Sequence, residues 1–111
     1  ITSYSHNPLL MSAYGLSNTD RLMFAAGLVV LPLHHPVTVI QDASTLEAFY
    51  PSRFRLVVGA GYAKADFDAL GVSMNERGKR MEAGLSAIEM FRNGESGPIA
   101  DPYRGIVPVR D

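Results

Sequence analysis

The stretch Gly59-Ala60-Gly61-Tyr62 closes a short apolar run that begins at Phe54. Glycine at the end of a strand does one of two things. It turns the chain, which is the simpler reading, or it lets backbone approach a flat ligand at the carboxyl end of a parallel strand, where β/α proteins place their sites. A dinucleotide fingerprint is incomplete, because Lys64 stands where G-x-G-x-x-G needs its third glycine and a long loop is expected in place of a helix. His34-His35-Pro36 offers two imidazoles. Adjacent side chains diverge and no third ligand stands at metal-site spacing, so no metal is assigned. One imidazole caps or packs at the start of the following helix, or it forms a polar wall or proton donor above a ligand. Arg53, Arg55, Arg77, Lys79 and Arg80 read as a solvated face or ordinary surface pairs. A phosphate site would need a free helix start, and Glu76 stands there as a capping partner. There is no G-x-S-x-G, P-loop, H-E-x-x-H or recognisable carboxylate pair. Hydrolase chemistry is therefore unsupported, and no catalytic acid or base is assigned.

Positioning such residues falls to a few elements. Asn7 and Pro8 predict a helix N-terminus leading into Leu9 to Leu16. Arg21 to Pro32 is apolar almost without alternation and predicts a strand buried on both faces. From Pro36, the stripe Val39, Ala43, Leu46 and Tyr50 predicts an amphipathic helix that Pro51 stops. Phe54 to Gly61 predicts a second buried strand and a site loop. Ser73-Met74-Asn75-Glu76 has capping-box spacing, and the stripe Met81, Leu85, Ile88 and Phe91 carries a last helix to Asn93-Gly94. Residues 94–111 read as a loop-rich tail with at most a short strand around Ile106 to Val109. The alternation of helix and buried strand is that of parallel α/β architecture. Two strands cannot close such a sheet, so the expectation is an incomplete part of a larger barrel, one domain over 1–111.

With 111 residues, ten Lys and Arg against eleven Asp and Glu, and a net charge of −1, the chain lacks the basic footprint of a nucleic-acid or anionic-membrane binder. Neither partner is expected. The longest apolar run, Leu22 to Leu33, holds Gly27 and Pro32 and falls short of the roughly 18 residues a membrane span needs. Zero cysteines agree with a reducing compartment, and a cytoplasmic location is the reading. The first residue is Ile, not Met, which suggests an internal piece of a longer chain.

Taken together, Leu31-Pro32-Leu33-His34-His35-Pro36-Val37, Asp42 to Glu47, Ser52 to Leu56, Gly59-Ala60-Gly61, Asp66-Phe67, Leu70-Gly71 and Glu76-Arg77 resemble, in order and spacing, the luciferase-like flavin monooxygenases. The resemblance runs from about Asn7 to Gly94. It implies about two β/α units of a (β/α)8 TIM barrel that holds reduced FMN from a partner reductase, or in some branches the deazaflavin F420, and uses oxygen on a small-molecule substrate. It implies that Gly27 and Leu28 match a place where the family often has a non-prolyl cis peptide beneath the flavin ring. It also implies that Gly59, Ala60, Gly61 and Tyr62 lie near the flavin. Gly59 and Ala60 depart from the cysteine and phosphate-binding arginine of the luciferase branch. A homo- or heterodimer through the helices at Pro8 to Leu16 and Pro36 to Tyr50 is implied as well. The alternative is a non-enzymatic flavin-binding or structural partner subunit derived from the same barrel.

Overall fold

In a computed structural model, which describes residues 6–107, local chemistry starts the first two long helices. Asn7 Oδ1 accepts from the amides of Leu9 and Leu10 at 2.8 and 3.1 Å and caps α1 (Pro8–Ser17). His35 Nδ1 accepts from the Val37 amide at 3.2 Å and caps α2 (Pro36–Phe49). In both, proline fills a first-turn position whose missing N–H costs no hydrogen bond. Of the two roles open to the histidine pair, capping is the one His35 performs.

Between these helices runs β1 (Phe24–Val30), closed by a one-turn 3-10 helix at Leu31–Leu33. After α2 comes β2 (Phe54–Gly59), parallel to β1 and paired with it. Phe24, Ala25 and Ala26 stand opposite Phe54, Arg55 and Leu56; the register then shifts and resumes with Val29 opposite Val58. Gly27 and Leu28 are therefore two residues set against one, Val57, which is a bulge in β1. The Gly27–Leu28 peptide is cis.

α1 and α2 cover one face of this pair. Leu9 and Leu16 of α1, Leu46 of α2, and Ala26, Val29 and Phe54 of the sheet form the core there. Burying each large aliphatic among them contributes about 1.5–3 kcal/mol. Both strands were expected to be covered on two faces in a sheet that two strands do not complete; within this chain one face is covered. Leu28 is 50% and Val57 42% exposed, and Ala25 and Arg55 are exposed beside them. The continuous apolar run of β1 thus serves a packed face and an open apolar face at once. Principal extents of 42 × 36 × 14 Å describe the resulting slab.

Beyond β2 the chain departs from expectation in four places. The expected long loop contains α3 (Lys64–Ala69), a helix of six residues with no side-chain cap and hence no start signal in sequence. Ser73 makes no capping hydrogen bond; a 3-10 turn at Met74–Glu76 precedes α4 (Arg77–Arg92), and the Glu76 carboxylate pairs with Arg80 at 3.2 Å instead. The buried face of α4 is Ala83, Gly84 and Ala87, while Leu85 of the expected stripe is exposed. Close approach explains this: a Cβ on Gly84 would lie 2.8 Å from Leu31 Cδ2. In the tail, β4 (Ile106–Val107) falls where a short strand was expected, and the departure is β3 (Gly97–Pro98), which pairs with it antiparallel. The rest of the expected strand, 108–109, lies outside the described residues.

Candidate functional site

The residues singled out from sequence gather at the carboxyl end of the parallel pair, but not all in one contact. Leu28 lies across Gly59: a Cβ at Gly59 would fall 2.6 Å from Leu28 Cδ2. Gly27 shares that open face, with Val57 Cβ 3.7 Å from the place its own Cβ would take. Gly27, Leu28, Val57 and Gly59 therefore make one smooth apolar patch. Gly61 sits apart from it, at φ +80°, wedged against Val30 and Phe67. Ala60 is partly buried, and the Tyr62 side chain is 81% exposed beyond the turn.

Two charged groups, expected as a solvated face or ordinary surface pairs, reach this region. Arg77, the first residue of α4, donates from Nη1 to the Gly61 carbonyl at 3.0 Å. Arg80, one turn on, donates to the Pro32 carbonyl at 3.4 Å. Tyr103 reaches the same carbonyl from the tail, its hydroxyl donating at 3.2 Å. The Arg80 guanidinium also lies 5.1 Å from the centre of the Tyr103 ring. Burial opposes the charge on Arg80, but hydrogen bonds to Tyr103 and Glu76 outweigh it and raise its pKa. A contact between residues 32 and 103 leaves no periodic trace in sequence.

His34 is half-buried at the end of the 3-10 turn. Burial lowers its pKa below the usual imidazole value, against the raising pull of Asp42 on α2. The folded state thus holds fewer protons on His34 than the unfolded chain, which titrates near about 6.5. Its contribution to stability is present above that pH and is lost as pH falls from there through the lower folded value. Melting curves between about pH 7.5 and 5 should show His34→Asn losing less stability on the acid side than the parent. An equal loss in both would remove His34 as a source of the acid sensitivity.

Two shallow depressions lie away from the patch. One is lined by His6, Asn7, Leu10, Met11 and Tyr14, the other by Lys79, Glu82, Ala83, Ser86, Ala100 and Asp101. Among the described residues no group of three His, Cys, Asp or Glu is placed to hold a metal ion. Among them, too, no helix is long and apolar enough to cross a membrane.

Comparison with known proteins decides the family. The sequence model of the luciferase-like monooxygenases matches residues 1–101. The chain belongs to the luciferase-like monooxygenase family. It is 33% identical over 89 residues to 4-hydroxyprotoasukamycin monooxygenase of Streptomyces nodosus subsp. asukaensis, covering 80% of this chain and 24% of that protein. Limonene 1,2-monooxygenase of Rhodococcus erythropolis is 30% identical over 92 residues, 81% of this chain and 23% of that protein. The chain thus spans about a quarter of the length of these curated relatives. Its fold superposes on monooxygenase RslO1 from Streptomyces bottropensis with a TM-score of 0.85 at 22% identity, over 95% of this chain and 32% of that one. The parallel α/β arrangement of this family member is accordingly part of a (β/α)8 TIM barrel.

Proposed function

We propose that this chain forms one wall of the flavin site in a flavin-dependent monooxygenase, with reduced FMN as the cofactor and the deazaflavin F420 as the alternative. The observation that carries the reading is the smooth patch of Gly27, Leu28, Val57 and Gly59 on the open face of the sheet. A flat ring system needs such a surface. A Cβ at Gly27 would stand on the patch with only Val57 near it, so glycine there leaves room for a ring to lie close to the backbone. The residues present fit the group.

When bound, reduced flavin would supply two electrons to oxygen, so that one oxygen atom goes to a small-molecule substrate and the other leaves as water. The chain's own residues bind and orient it. Leu28 and Val57 exclude water from one ring face, and the Gly59-Ala60-Gly61-Tyr62 turn borders it. Ala60 offers no charge for a phosphate; Arg77 is a cation held at this turn through its bond to the Gly61 carbonyl. A partner reductase is the proposed source of reduced FMN. Leu10, Met11 and Tyr14 on α1 and Phe49 on α2 are each more than half exposed, which supports the proposed dimer through these helices. We place the protein in the cytoplasm.

Mixing the protein that carries this chain with reduced FMN and oxygen, and following the flavin absorbance, tests the reading. Oxidation altered in rate or course relative to free reduced FMN is the expected result. Flavin binding with a course identical to free flavin would instead favour a non-enzymatic flavin-binding or structural subunit built on the same barrel. No binding of either flavin would contradict both.

A further inference from the structure

The end of β1 is held from three sides. Val30 packs against Gly61, whose Cβ would fall 2.7 Å from Val30 Cγ1. Leu31 packs into the gap left by Gly84 of α4. The next carbonyl, that of Pro32, receives the Tyr103 hydroxyl at 3.2 Å and Arg80 Nη1 at 3.4 Å. Tyr103 is 6% exposed, so its hydroxyl sits where a lost hydrogen bond is not readily replaced by water. Its ring is fixed in turn, edge-on to His35 at 5.3 Å and under Arg80. Glu76 holds Arg80 from the other side. The 3-10 turn itself is closed by the His34 amide donating to the Leu31 carbonyl at 3.0 Å.

We propose that Tyr103, assisted by Arg80, is a positioning residue: it clamps the Pro32 carbonyl and thereby sets the end of β1, from Leu28 through Val30, against the Gly59–Gly61 turn. The proposal rests on the flavin reading above for its consequence, though not for the clamp. Tyr103 touches neither flavin nor substrate in this assignment. It acts through the turn, and it makes the tail segment, far from the patch in sequence, a determinant of how well the flavin wall is formed.

Tyr103→Phe removes the hydroxyl, and with it both its bond to the Pro32 carbonyl and the one it accepts from Arg80 Nη1 at 3.5 Å, while the ring contacts with His35 and Arg80 remain. In the protein that carries this chain, without flavin, the His34 amide should exchange with solvent about tenfold faster. FMN, titrated as the probe, should bind about fivefold more weakly, with its visible absorption shifted from that of the parent complex. Unchanged exchange at His34 would overturn the clamp. Faster exchange with unchanged FMN affinity and spectrum would overturn the positioning role and leave Tyr103 a packing residue. If the parent protein binds neither FMN nor a deazaflavin, the flavin reading fails and the positioning role with it, while His34 exchange still decides the clamp.

Discussion

Replacing Gly61 with alanine should destabilise the protein by about 3 kcal/mol. Two terms add. Gly61 holds φ at +80°, a left-handed conformation that costs an L-residue roughly 1–2 kcal/mol. The new Cβ would also lie 2.7 Å from Val30 Cγ1 and 3.2 Å from Phe67 Cε2. Neither neighbour yields easily: valine is stiff about χ1, and Phe67 is fully buried. Overpacking of that kind costs typically about 1–3 kcal/mol. Gly71→Ala is the matched control, with φ +67° and nothing within 4 Å of its Cβ. It should cost about 1 kcal/mol, the backbone term alone. Urea unfolding with unchanged m separates the two. Equal losses for both would mean that the Gly61 turn is not packed as described.

Gly27→Val should lower FMN affinity about 100-fold, equivalent to about 2.8 kcal/mol. The reasoning is the converse of that for Gly61. At Gly27 the nearest atom to an added Cβ is Val57 Cβ at 3.7 Å, an ordinary contact, and the residue faces the open side of the sheet. A valine there occupies the surface on which the ring is proposed to lie. Equilibrium titration with FMN measures the change, with the circular dichroism spectrum of the variant as a check on its fold. Unchanged affinity would remove Gly27 from the site.

The parts of this fold that could be read from sequence are those governed by neighbours in the chain. Asn7 before Pro8 and His35 before Pro36 mark helix starts through hydrogen bonds spanning two or three residues. The stripe Val39, Ala43, Leu46 follows the helical period and does turn toward the core. In α4 the same reasoning selected large apolar residues, whereas proximity to Leu31 made the buried face one of alanine and glycine. Hydrophobicity marks burial well only when the partner stands at ordinary distance. Ser73 and Glu76 had the spacing of a capping box, but Arg80 competes for the carboxylate and takes it.

At the candidate site, the glycine turn after β2 stands out in sequence because glycine at a strand end has few roles, whereas Gly27, inside β1, is reached only through the family resemblance. That Leu28 crosses Gly59 was not, since it depends on the bulge that sets Gly27 and Leu28 against Val57. The contacts of Arg77, Arg80 and Tyr103 are not legible for a related reason. Each reaches a backbone carbonyl 16 to 71 residues away, and a carbonyl carries no sequence identity.

Hydrogen exchange measured along the protein that carries this chain, with and without saturating FMN, reports directly on whether these residues form a flavin wall. Slower exchange at Leu28 and across Gly59 to Tyr62 in the bound state, with the amides of α1 unchanged, is the expected pattern. Flavin bound with full protection elsewhere and none at Leu28 or at 59–62 would contradict the assignment of this sheet face to the cofactor.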